Sequence, residues 1–285
     1  MDCLSPTLLH QRSTGGLHLA VKRRGEASVL DRLRQEGCLK ARFPRAEPGG
    51  GLEVVTLNSS GGVAGGDRLG TAIGAGAGTR ATIASQAAER FYRALPGSVS
   101  AVTNAVSVEP GAALEWLPQE SIVFDGAALR RSLRIDLAAD ASFLGVESLV
   151  FGRTAMGEVV HRADIDDLIE VRRDGRLLLH DRIRLSGAVA DMLGRAAIGR
   201  GAAAVATILH LAPGAESRLD ALRAALAPHD AGASASSQAE AGASAWDGML
   251  IARIVGENGA CLRDAVVAGL AVLRGSRSLP RVWSC

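Results

Sequence analysis

Four glycines fall within six residues, Gly61-Gly62 and Gly65-Gly66, and run directly into Asp67-Arg68. Glycine reaches positive φ without a Cβ clash, so this spacing predicts a tight turn that fixes an acid and a base. Gly61 and Gly66 have the spacing of a phosphate-binding G-x-x-x-x-G loop, but Asp67-Arg68 stands where that loop needs Lys and a hydroxyl, and a carboxylate there repels phosphate. A dinucleotide fingerprint fails as well, because Gly74-x-Gly76 is followed by Thr79 and no βαβ pattern surrounds it. Next come Gln86, Glu89, Arg90, Tyr92 and Arg93. If this segment is helical, Glu89 and Arg93 form an i, i+4 pair of only ~0.3–0.5 kcal/mol when exposed.

The six histidines, His10, His18, His161, His180, His210 and His229, show no paired spacing, and neither do Cys3, Cys38, Cys261 and Cys285, so no stable metal site is expected. Isolated carboxylates remain at Asp67, Glu89, Glu115, Glu120, Glu147 and Glu158, with a further group, Asp164, Asp166 and Asp167, read as a charged loop. Solvated or salt-bridged acids are the plain reading. The sharper one is a polar channel in which such groups handle a divalent ion in transit, since such ions accept oxygen ligands and weak multi-site binding lets them leave. No G-x-S-x-G elbow is present, Ser85 and Ser148 read as ordinary strand serines, and no catalytic residue is assigned.

Positioning these groups falls to strands. Gly16–Arg24, Cys38–Phe43, Leu52–Leu57, Thr79–Ser85, Ala101–Val108, Ala112–Trp116, Leu129–Leu137 and Phe143–Phe151 are short, alternating or β-branched, and broken by turn residues such as Pro110-Gly111. Three windows, starting at Gly78, Gly111 and Ala141, repeat a small residue before a seven-residue run at offsets of 33 and 30, the signature of stacked coils or a chance recurrence of turn and strand. Asp174-Gly175 predicts a hairpin. A strand is expected over Gly201–Leu211, a helix over Glu216–Leu226, a flexible linker over Asp230–Ala245 and a strand over Met249–Val255. In Asn258–Leu273, Leu262, Val266, Leu270 and Leu273 share one helical face, suited to packing at home or on a partner. Trp283, third from last in the sequence, is a common kind of interface anchor.

The fold class expected from these residues is mainly β with two C-terminal α-helices. Residues 1–285 form one domain, β-rich over 16–211, with helix, linker, strand and helix over 214–285. Thirty-two basic against 30 acidic residues give a net charge of +2, which offers no field for nucleic acid. The N-terminus lacks a secretory pattern, no apolar run reaches the ~18–20 residues of a membrane helix, and the scattered cysteines fit reduced thiols, so a cytoplasmic location is expected.

GGVAGGDRL and SQAAERFYRA, followed by LEWLPQESIVFDGAALRRSLRIDL, FLGVESLVFGRTAMGE, SAWDGMLIARI and the ending LPRVWSC, resemble the UreD/UreH urease accessory proteins from about Leu17 to the C-terminus. The resemblance implies a β-helix-like stack of short strands and a non-catalytic scaffold that binds apo-urease, docks the UreF helical partner through its C-terminal region, joins the UreG GTPase through it, and admits a dimer within the accessory complex. It implies no stably bound cofactor and passage of nickel through an internal polar tunnel. Asp67, Ser85, Glu89 and Glu147 are the tunnel residues it suggests here, and Leu262, Val266, Leu270, Leu273 and Trp283 the docking residues. The alternatives are a β-rich scaffold for other partners and a nucleotide-binding hydrolase using the glycine loop.

Overall fold

The computed structural model describes residues 11–45, 51–153, 156–227 and 239–284. Alternation builds the first strand, β1 (Thr14–Arg24), in which Leu17, Leu19 and Val21 are buried while His18 and Lys22 face water. After a hairpin excursion through β2 (Ala27–Gly37) and β3 (Leu39–Arg42), β4 (Leu52–Asn58) begins the second wall. The chain then winds in coils, two of them with three strands each. One coil holds β5 (Arg68–Ala75), β6 (Arg80–Ser85) and β7 (Glu89–Phe91). The next holds β8 (Ser100–Val108), β9 (Ala113–Leu117) and β10 (Ser121–Val123). β11 (Ala128–Leu137) and the long β12 (Ser142–Phe151) form the last, giving a β-solenoid of about four turns. The hairpin β13 (Arg162–Arg173) and β14 (Arg176–Ala188) and a short helix α1 (Val189–Leu193) follow. β15 (Ala204–Leu211), α2 (Leu219–Leu226), β16 (Ala239–Trp246), β17 (Met249–Gly256) and α3 (Gly259–Arg274) complete the fold.

Two sheets result. The first has the order β14-β13-β11-β8-β5-β1-β2, the second β16-β17-β15-β12-β9-β6-β4-β3, with β7 and β10 as a narrow third wall beside β12. Neighbouring coils pair in parallel, so equivalent residues stack: Leu69 on Val102, Val102 on Arg131, and Arg131 on Asp167. The repeated windows are these coils. Gly78 and Gly111 turn equivalent corners at φ 66° and 67°, where a side chain would be strained, and the Gly78 N–H donates to Pro110 O at 2.9 Å. The first offset, 33, is the register of β6 on β9. The second is 29 rather than 30, since Ser142 faces Ala113; that single residue decides which face each side chain takes.

Apolar residues inside the solenoid form one core, and a second lies between the outer face of the second sheet and α2 and α3. Both expected C-terminal helices are present. Asn258 caps α3, its Oδ1 accepting the Ala260 and Cys261 N–H groups. Leu262, Val266, Leu270, Leu273 and Trp283 belong to the second core with Ile208, Leu250 and Ile254, so the expected docking stripe is turned inward onto the chain's own sheet.

Other expectations change for identifiable reasons. Gln86–Tyr92 is not helical: β7 is held by parallel pairing to β10. Asp164, Asp166 and Asp167 lie in strand β13, not in a loop, because β11 and β14 pair on either side. Residues 239–246 of the expected linker form the edge strand β16 against β17, with Arg223 on α2 donating to Ala243 O at 2.8 Å; residues 230–238 lie outside the described residues. β2 is an edge strand rich in charge, so it carries no apolar alternation that a sequence pattern could show.

Candidate functional site

The glycine turn comes first in the chain and proves to be a closure device. Gly61, Gly62 and Gly66 have positive φ, and the buried Asp67 carboxylate accepts the Ser13 N–H and the Ala64 N–H, each at 2.8 Å. Both oxygens are thus committed to backbone, tying the start of β1 to the turn. Asp67 does not line the cavity described next.

That cavity, about 250 Å³, occupies the interior of the solenoid beside the turn. Sheet one contributes Leu69, Thr71, Val102, Asn104 and Arg131; sheet two contributes Thr56, Ser85, Trp116 and Glu147; the third wall contributes Glu89, Phe91 and Ser121. The structure therefore brings Ser85, Glu89 and Glu147 to one cavity. Gly61, Gln86, Ala87 and Arg90 on its rim are exposed.

Glu89 sits beside this rim. Its Oε2 accepts the Asn58 side-chain N–H at 3.1 Å and its Oε1 the Arg90 N–H at 3.0 Å. Burial pushes its carboxyl above the ordinary range, against the pull of those two donors. Ser85 Oγ accepts the Gln119 N–H at 2.8 Å and donates to Ala87 O at 3.0 Å, joining the second and third walls. Glu89 and Arg93 do not pair; Arg93 reaches Asp125 at 2.6 Å, and the Tyr92 hydroxyl donates to Gly61 O at 2.8 Å.

At the inner end a buried ionic cluster replaces apolar packing. Arg131 Nε and Nη2 donate to Asp167 Oδ1 and Oδ2 at 2.8 and 2.6 Å, a bidentate pair between facing residues of β11 and β13. Arg131 Nη1 donates to Ser121 Oγ at 2.8 Å and lies 2.8 Å from Glu147 Oε2, while the Trp116 indole N–H donates to Glu147 Oε1 at 2.8 Å. Arg131, Glu147 and Asp167 are 7%, 8% and 6% exposed, and the cluster carries formal charge −1 with both acids ionised. Burial opposes the Arg131 charge, but the adjacent Asp167 and Glu147 carboxylates more than offset this and hold it firmly protonated. Burial raises the Glu147 carboxyl; Arg131 lowers it and Asp167 adds to the rise.

Arg131 and Asp167 were not singled out as site residues from sequence, yet a signal exists. Leu129, Arg131, Leu133 and Ile135 share one strand face, as do Ile165, Asp167, Ile169 and Val171, so each charge occupies a core parity. A second set, buried at Glu115 and Arg274 and exposed at Arg277, joins α3 to the second sheet: Arg274 Nη2 lies 2.9 Å and Arg277 Nη2 2.7 Å from Glu115, whose Oε2 also accepts the Thr82 hydroxyl at 2.7 Å. Among the described residues, no three His, Cys, Asp or Glu side chains converge as a metal-binding group. No helix among them is long and apolar enough to cross a membrane.

With this geometry in place, comparison with known proteins gives one consistent answer. Residues 13–284 match the model of the UreD urease accessory protein family. The urease accessory protein UreD of Methylobacterium sp. (strain 4-46) is 45% identical over 274 residues, covering 96% of this chain and 95% of its own. Its namesake in Dinoroseobacter shibae is 43% identical over 286 residues, covering 99% and 95%. That of Chelativorans sp. is 41% identical over 274 residues, covering 96% and 95%. Matches of this identity along nearly the whole length leave no part of the solenoid unaccounted for, and the chain belongs to the UreD urease accessory protein family.

Proposed function

We propose that this chain is a non-catalytic scaffold of urease maturation that hands nickel toward apo-urease through the interior of its solenoid. The observation that carries the reading is the cavity itself: a space inside parallel coils, edged by Glu89 and Ser85 beside an exposed rim and ending on Glu147. Carboxylate, hydroxyl and amide oxygens are acceptable ligands to Ni²⁺. Spaced along a wall rather than gathered on one point, they bind an ion weakly and successively, as conduction requires. Nickel is cargo in this scheme, and the chain keeps no cofactor. The cytoplasm is its place of work, with UreF-type and UreG-type proteins and the urease subunits as partners.

Docking of the UreF-type partner falls to the outward side of α3, around Asp264 and Ala271, because the inward stripe is occupied. Asp67 serves the path indirectly, by holding the turn that borders it.

The test is complementation of a urease gene cluster lacking its own UreD-type factor, with urease activity, nickel per active site and co-purified partners scored together. Wild type restores all three. Glu89→Gln retains the complex but lowers the nickel content at limiting nickel by a factor of several. Wild-type nickel loading by this variant would refute the internal route, and absence of any complex with wild type would refute the scaffold.

A further inference from the structure

A second void adjoins the first. It is narrow, about 10 Å³, roughly one water in size, and is lined by Asp167, Asp181, Ile183 and Thr207. The residues it shares with the larger cavity are Arg131 and Glu147, so the guanidinium and its carboxylate partner form the wall between the two spaces. At its far side Asp181 pairs with Arg253. Arg131 and Glu147 thus stand where the two voids meet, with a paired cation at the boundary.

We propose that Arg131 is the gate of this path: its guanidinium holds the position between Glu147 and Asp167 that a divalent cation takes on passing, and swings aside when the cation arrives. This rests on the reading of the cavity as a cation route. Two facing carboxylates attract a dication about twice as strongly as a monocation at equal distance, so only a dication gains by exchanging with the guanidinium. A monovalent ion offers the same charge and forfeits the bidentate geometry, which makes the gate a charge filter as well as a door. Space for withdrawal exists, since Nη1 already reaches Ser121 on the wall of the 250 Å³ cavity. While closed, the guanidinium fills the position between the two acids and keeps the two compartments apart.

The experiment titrates Ni²⁺ into the purified full-length chain by equilibrium dialysis, comparing wild type, Arg131→Met and the double variant Arg131→Met/Glu147→Gln. Removing the guanidinium leaves two carboxylates on one void, so Arg131→Met should bind one Ni²⁺ at least tenfold more tightly than wild type, and the double variant should lose that gain. An Arg131→Met protein that is folded by circular dichroism and binds no better than wild type overturns the gate. Should that variant fail to fold, Arg131→Lys decides: it keeps a positive charge, but a point ammonium cannot span both acids, so binding at least threefold above wild type is expected and parity overturns the proposal. Nickel loading of co-expressed urease reports the route separately. If loading depends on Glu89 while Arg131→Met binds as wild type, only the gate falls; if loading ignores every cavity residue, the route falls and takes the gate with it.

Discussion

The two buried arginine–carboxylate clusters are near mirror images in charge and opposite in surroundings. Around Arg131 one guanidinium serves two acids, for a formal −1, and voids lie on either side. Around Glu115 one acid serves Arg274 and Arg277, for a formal +1, in the packing that joins α3 to the second sheet. Their acids respond oppositely. Burial raises Glu147 beyond what Arg131 recovers, whereas for Glu115 burial is more than offset by Arg274 together with Thr82 and Arg277, which hold the carboxyl below its ordinary range. The lesson is that burial of a charge does not by itself mark a functional site. Empty space beside it, and an unbalanced sign suited to a ligand, are what distinguish the two.

The contrast can be broken most violently from the dry side. Leu270→Asp places a charge where the wild-type side chain is fully buried, adding to the 2–5 kcal/mol typical of losing a core Leu, and is expected to abolish cooperative thermal unfolding. A variant that melts like wild type would return the α3 stripe to the surface. Next, Glu115→Gln leaves Arg274 buried without its counter-charge and should cost about 3–5 kcal/mol in urea unfolding. Glu147→Gln should cost only about 1 kcal/mol, because its amide oxygen still accepts from Trp116 while Arg131 keeps its bidentate grip on Asp167. Equal losses at the two positions would erase the distinction between them.

The subtlest test is the pH dependence of those two differences. Glu147 is raised, so its contribution is present below the ordinary Glu value of 4.5 and fades as pH climbs through its folded value; the stability gap between wild type and Glu147→Gln should narrow toward neutral pH. Glu115 is lowered, so its contribution is present above 4.5 and is lost on acidification, and the gap for Glu115→Gln should narrow in the other direction. Slopes of the same sign would mean that the two clusters are electrostatically alike.

Much of this was legible in the residues. Alternation placed β1, β8, β9, β11 and β12, and the spacing of Gly78 and Gly111 offered the coil only beside a chance recurrence of turn and strand. What failed was partnership. Periodicity in α3 states that Leu262 through Leu273 must be buried but not against what, and the answer lay in β15 and β17, distant in sequence. Ala- and Ser-rich β16 reads as linker because its strand character comes from pairing with β17, not from propensity. Arg131 and Asp167 needed the register of β11 on β13, which no local window contains.

The bond from Arg274 to Glu115 also sets a clock for biosynthesis. The two residues are 159 apart, which a ribosome adding ~5–20 residues per second covers in roughly 8–30 s. Through that interval β9 is already made while the helix that neutralises its acid and covers the second sheet is not. Until α3 is made, the second sheet presents an open apolar wall, and the yield in cells should depend on how quickly that helix closes it.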